Sequence, residues 1–93
     1  MTDKEIRKAI GEPALYEGLA EEAVELAKEA LKLARILRGE NPTSADERST
    51  MRSLIEEYTD LTIYLDVLDI SIDFNVYRIK KGRMADRIRE ADV

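Results

Sequence analysis

The apolar residues of this chain recur at alternating intervals of four and three over two long stretches. In the first they fall at Leu19, Ala23, Leu26, Ala30, Leu33 and Leu37, and in the second at Leu54, Tyr58, Leu61, Leu65, Leu68 and Ile72. Such spacing winds onto one face of an α-helix, whereas a half-buried strand needs a period of two. Between the stretches stands Gly39-Glu40-Asn41-Pro42-Thr43, a glycine just past a helix end followed by a proline that cannot continue the helix. The pattern predicts two long antiparallel helices, over about residues 13–38 and 46–71. Val24 and Leu31 on the first, and Ile63, Val67 and Ile70 on the second, form further apolar flanks, so each helix expects more than one packing partner.

Two shorter helices complete the expectation. Thr2-Asp3-Lys4-Glu5 fits a capping box ahead of a helix over about 3–10, and Gly11-Glu12-Pro13 interrupts it. Ser44-Ala45-Asp46-Glu47 is a similar start signal for the second long helix. Asp73 or Asn75 caps a last helix over about 76–90, which carries Lys80, Lys81, Arg83, Arg87 and Arg89 and has Gly82 in its interior. The β-branched run Ile70-Ser71-Ile72 is compatible with a short strand, but the helical period of Leu61 to Leu68 favours a helix end and turn. The fold expected is all-α, an antiparallel bundle of about four helices in one domain over residues 1–93. A chain of this size buries a marginal core alone, and the spare apolar flanks predict completion by homo-oligomerisation.

Composition narrows the chemistry. The chain has no cysteine and no histidine, which removes disulfides, thiolate or imidazole metal sites and Ser-His or Cys-His nucleophiles. A net charge of −5 opposes binding to a nucleic acid polymer. No apolar run approaches the ~20 residues of a membrane span, and the polar start Met1-Thr2-Asp3-Lys4-Glu5 is not a signal peptide. A cytoplasmic location is expected.

What remains is carboxylate chemistry. Glu21-Glu22-Ala23-Val24-Glu25 lies on the first long helix and Glu56-Glu57-Tyr58-Thr59-Asp60 on the second. Glu22 with Glu25, and Glu57 with Asp60, are three residues apart and share a helix face. Taken alone, the first cluster reads as a solvated face in which Glu25 pairs with Lys28 and Glu29 with Lys32. The second cluster has little local positive charge, since no lysine occurs from residue 33 to 79. Asp60 lies between two apolar stripes, where an unpaired carboxylate is partly desolvated and costly. Four carboxylates on neighbouring helices suit a hard divalent cation such as Mg²⁺, and through it a polyphosphate.

These residues also carry a likeness. E-E-x-x-E on one helix and E-x-x-D on the next, with the intervening Arg38-Gly39-Glu40-Asn41-Pro42-Thr43 and the later Lys80 and Arg83, resembles the MazG-like, all-α nucleoside triphosphate pyrophosphohydrolase superfamily. The order and spacing resemble small, often phage- or prophage-type members, over roughly residues 13–88. The resemblance implies hydrolysis of a nucleoside triphosphate to the monophosphate and pyrophosphate, with Mg²⁺, or Mn²⁺ in its place, held by Glu22, Glu25, Glu57 and Asp60. It implies supporting roles for Glu21 and Glu56, phosphate contacts from Lys80 and Arg83, and a homodimer or homotetramer. Gly18 departs from the larger polar residue, often Gln, expected at its position. Tyr16, Tyr58, Tyr64 and Tyr77 are expected to pack in the core rather than to stack on a base. The competing expectation is a non-catalytic helical dimerisation or adaptor module that retains an acidic metal site.

Overall fold

The computed structural model describes residues 1–40 and 46–91. These residues form four α-helices and no strand: α1 (Asp3–Ile10), α2 (Glu12–Leu37), α3 (Glu47–Val67) and α4 (Phe74–Ala91). The start of α1 is capped by the Thr2 hydroxyl, which accepts the Glu5 N–H at 3.1 Å. Gly11, at φ 95°, turns the chain into α2, where Pro13 occupies the first turn and leaves no hydrogen bond unmade.

Both long helices end in the same hydrogen-bond pattern. At α2 the Gly39 N–H donates to the Ile36 carbonyl and the Glu40 N–H to the Arg35 carbonyl, with Gly39 at φ 73°. At α3 the Asp69 N–H donates to Asp66 and the Ile70 N–H to Leu65, with Asp69 itself at φ 60°. An aspartate therefore fills the left-handed position that glycine usually takes. It stops α3 at Val67, short of the expected end near residue 71. Asp46 caps α3 by accepting the Ser49 N–H at 2.6 Å. Ser44 and Ala45 of the expected capping signal, and Asn41, Pro42 and Thr43 of the stop signal, lie outside the described residues. Of the two candidate caps for α4, Asp73 takes the role, its carboxylate accepting from the Asn75 and Val76 N–H groups at 2.9 and 3.2 Å. The turn falls at residues 68–69, and residues 70–72 connect α3 to α4 without forming helix or strand.

α2 and α3 run antiparallel as the central pair, and α1 packs across the end where α2 begins and α3 finishes. There Leu15, Val67 and Leu68 are buried, with Ile6, Leu19 and Tyr64 packed against them. Leu33 and Thr50 are buried nearer the other end. The buried line of α2 is not the stripe expected from spacing: it passes through Leu15, Leu19, Glu22, Leu26, Glu29 and Leu33, while Ala23, Ala30 and Leu37 are exposed. On α3, Tyr58 is exposed and Val67, expected on a far flank, is only 4% exposed. Residue Ile72, expected on the main stripe, lies beyond the helix and is exposed. The observed line keeps the alternating four-and-three spacing and shares Leu19, Leu26 and Leu33 with the expected stripe; it is turned about the helix axis, so that Leu15, Glu22 and Glu29 complete it in place of Ala23, Ala30 and Leu37.

At Gly18 the side chain of Tyr64 on α3 lies directly against the α2 backbone. A Cβ added there would lie 2.6 Å from Cζ of the Tyr64 ring, inside any allowed contact. The ring thus occupies the space that a side chain at position 18 would fill. Gly18→Ala is expected to destabilise the protein by about 1 kcal/mol, because overpacking against the half-buried ring outweighs the helix propensity gained. In a Tyr64→Ala background the same change should stabilise by about 1 kcal/mol. Urea denaturation of the four proteins reads the cycle, and equal effects in both backgrounds would refute the contact.

α4 packs against none of α1–α3 among the described residues. Its support among the described residues is local, including a Phe74–Tyr77 edge contact at 6.5 Å between centroids, the Lys81 ammonium 5.5 Å over the Tyr77 ring and an Arg89–Asp86 ion pair. The radius of gyration is 17.3 Å, against about 12 Å for a compact domain of this length. Every α4 residue is exposed apart from the half-buried Ala85. Among the described residues no helix is long and apolar enough to cross a membrane.

Candidate metal centre

The register that sets Gly18 against Tyr64 sets Glu22, one turn further along α2, against Glu57 and Asp60, the turns before Tyr64 on α3. Carboxylate oxygens of Glu22, Glu57 and Asp60 lie within 4.8 Å of one another. Glu22 and Glu57 sit on the buried lines of their helices and are half-buried, and Asp60 is exposed. This reverses one expectation. The desolvated acid of the second cluster is Glu57, not Asp60, because the side of α3 that meets α2 passes through Thr50, Glu57, Tyr64 and Leu68.

Glu57 carries the electrostatic consequence. Its pKa is raised above the ordinary glutamate value, first by partial desolvation, then by the charges of Asp60, Glu22 and Glu25, and by a hydrogen bond with Glu22. Among the described residues the ion pairs are Lys28–Glu25, Lys32–Glu29 and Arg89–Asp86, so none engages Glu22, Glu57 or Asp60. Three acids on the α2–α3 seam thus face one another, and no side-chain cation offsets their repulsion.

The remaining acids divide by position. Glu25 is near enough to raise the Glu57 pKa, yet its own carboxylate accepts from Lys28 at 3.1 Å. Glu29 accepts from Lys32 at 3.2 Å through Oε1, while its Oε2 is buried with no partner. Both lysine pairs are the ones expected of a solvated helix face, a description that fits the exposed Glu25 but neither Glu22 nor Glu29, which are half-buried. Glu21 and Glu56 are exposed and lie outside the converging set. Lys80 and Arg83 line a surface hollow on α4 with Met84 and Arg87, on a helix that does not pack against the one carrying Glu57. Core packing describes Tyr64 alone, since Tyr16, Tyr58 and Tyr77 are 50%, 59% and 48% exposed.

Sequence reasoning singles out Gly18 as a departure and places Tyr64 in the core without pairing the two; their contact belongs to the same α2–α3 register that brings the acids together, and a glycine inside a long helix is the signal that points to such a close approach. The donor set fits a hard divalent ion. It offers only oxygen, it concentrates negative charge that the chain does not neutralise, and a few carboxylates leave coordination positions for water and phosphate oxygens. Compared with family models, curated proteins and solved structures, the chain finds no match in any of the three.

Proposed function

We propose that the protein is a Mg²⁺-dependent nucleoside triphosphate pyrophosphohydrolase, cleaving an NTP or dNTP to the monophosphate and pyrophosphate, and that it works as a homo-oligomer. The observation that carries this reading is the convergence of Glu22, Glu57 and Asp60 at the α2–α3 seam, with Glu57 resisting ionisation in the absence of a cation. The motif resemblance to MazG-like enzymes supplies the substrate class.

In this reading Glu22, Glu57 and Asp60 hold the ion, with Glu25 beside them and partly restrained by Lys28. Mg²⁺ bound there supplies charge neutralisation on the polyphosphate and a lower pKa for an attacking water. The protein's own part is positional. Two acids come from α3, one turn apart, and one from α2, so the spacing of the carboxylates is set by helix packing rather than by a loop. Partial burial between two helices keeps bulk water from diluting the field of the acids. Lys80 and Arg83 are the basic groups proposed to contact phosphate.

Incubation of the protein with a panel of canonical and modified nucleoside triphosphates and Mg²⁺ tests the reading. Release of pyrophosphate and monophosphate in equal amounts, abolished by chelation, is the expected result. Release of inorganic phosphate instead would place the cleavage at the wrong bond. No turnover across the panel, from protein with its helical content intact, would overturn the enzyme reading in favour of a non-catalytic helical module.

A further inference from the structure

We propose that α4 is an exchange arm: its apolar stripe packs on the exposed apolar faces of α2 and α3 in a second copy of the chain. The proposal rests on the homo-oligomer part of the function above and is independent of the hydrolase part.

Three observations lead to it. The first is surface. The chain exposes 7680 Å², whereas a folded monomer of 10.6 kDa exposes about 5,500 Å² by the scaling of surface with mass. The surplus, about 2,200 Å², exceeds the ~800 Å² per partner of a standard interface and falls in the range of obligate oligomers. The second is pattern. Phe74, Tyr77, Met84 and Ile88 recur at helical spacing along α4 and are 71%, 48%, 63% and 60% exposed. An 18-residue helix with a central glycine is marginal in water without tertiary packing, and α4 receives none from its own chain. On α2, Tyr16, Ala20, Ala23, Ala27 and Leu31 form an exposed stripe, most of it alanine, which allows another helix to approach closely. On α3, Met51, Ile55 and Tyr58 form a second exposed stripe.

The third observation selects the occupant. α4 carries six basic and two acidic side chains, while residues 1–73 carry nine basic and seventeen acidic ones. Arm against arm sets like charge against like, and so does body against body. Arm against body pairs opposite signs, which favours that docking and suppresses the other two. Reciprocal exchange between two copies satisfies both arms and closes the assembly, as a two-fold interface requires.

The chain has no native cysteine, so cross-linking reads the contact without background. Single variants Met84→Cys on the arm, and Ala20→Cys, Ala27→Cys or Ala34→Cys on the body, are mixed pairwise under mild oxidation after measurement of native mass by light scattering. The expected result is a mass of at least two chains and a mixed disulfide between the arm variant and one or more body variants. A monomeric mass overturns the proposal, as do disulfides formed only arm-to-arm or only body-to-body. Tyr77→Glu, at a site exposed within the single chain, should keep the helical signal of α1–α3 while lowering the mass to one chain. An unchanged oligomer in that variant would also overturn the arm contact. Mass and cross-linking are read without turnover, so their failure and a failure of hydrolysis are told apart.

Discussion

Glu57→Gln is expected to raise the melting temperature of the metal-free protein at neutral pH and, at the same time, to remove the rise that Mg²⁺ produces in the wild type. Both effects follow from one carboxylate. The folded-state pKa of Glu57 is raised above the unfolded value near 4.5, chiefly by partial desolvation and then by Asp60, Glu22 and Glu25. The folded protein therefore holds this proton to a higher pH than the unfolded chain does. The stability linked to it is fully present below the unfolded pKa and is lost as pH rises through the folded one. Glutamine keeps the shape and can still hydrogen-bond to Glu22, but it never ionises. The advantage of the variant should thus be absent in acid and grow toward neutral pH.

Mg²⁺ acts with the opposite sign in the same pH window, because the ion needs the carboxylates ionised. At a hundredfold excess over its dissociation constant, an ion that binds only the native state should raise the melting temperature of a domain this small by about 10–20 °C. Thermal melts of the two proteins at fixed chain concentration, with and without Mg²⁺ and from acid to neutral pH, provide the measurement. A Mg²⁺ response retained in Glu57→Gln would sink the assignment of Glu57 as a ligand. A variant no more stable than the wild type without metal would sink the account of its strained ionisation.

The helical character of the chain was legible because the period of three and four extends over many turns, and α2 and α3 follow it. The end of α3 was not, since Asp69 adopts a left-handed conformation at a place where no glycine announced it. The buried face was only partly legible. Leu15, at 1% exposure the most buried leucine, was left out of the stripe, and Ala23 and Ala30 were placed on it though both are exposed. Spacing fixes which residues can share a face, but Leu19, Leu26 and Leu33 belong to two such stripes, one with Ala23 and Ala30 and one with Glu22 and Glu29, and contact with α3 selects the second. The two acidic clusters were visible as spaced pairs, yet which acids converge depends on the register of α2 against α3. One contact of that register, Gly18 against the Tyr64 ring, joins residues 46 positions apart in sequence. The amphipathic pattern of α4 likewise shows that the helix needs a partner without saying where the partner is.

Rates of triphosphate hydrolysis should rank the acids by geometry rather than by their place in the sequence motif. Glu22→Gln, Glu57→Gln and Asp60→Asn each remove one of the three carboxylates that converge within 4.8 Å. Each is expected to lower kcat/KM by at least about a hundredfold, the scale of losing a group that stabilises charge at the reacting centre. Glu25→Gln should cost less, about tenfold, because the carboxylate is already shared with Lys28 and acts on the site from its edge. Lys28→Met then becomes informative: freeing Glu25 from its partner should leave activity intact or raise it, whereas an obligatory Lys28–Glu25 pair would make the two variants equally poor. Glu21→Gln and Glu56→Gln remove exposed charges outside the cluster and should stay within a few-fold of the wild type. The motif resemblance on its own gives Glu25 the same rank as Glu22, so the two variants separate motif from geometry. Equal losses at Glu22 and Glu25, with the helical fold intact in both, would mean that the ion draws Glu25 away from Lys28 and that the working site has four carboxylates. A small loss at Glu57 would remove the α3 half of the site altogether, because Glu57 is the acid whose burial and raised pKa set the seam apart from an ordinary acidic surface.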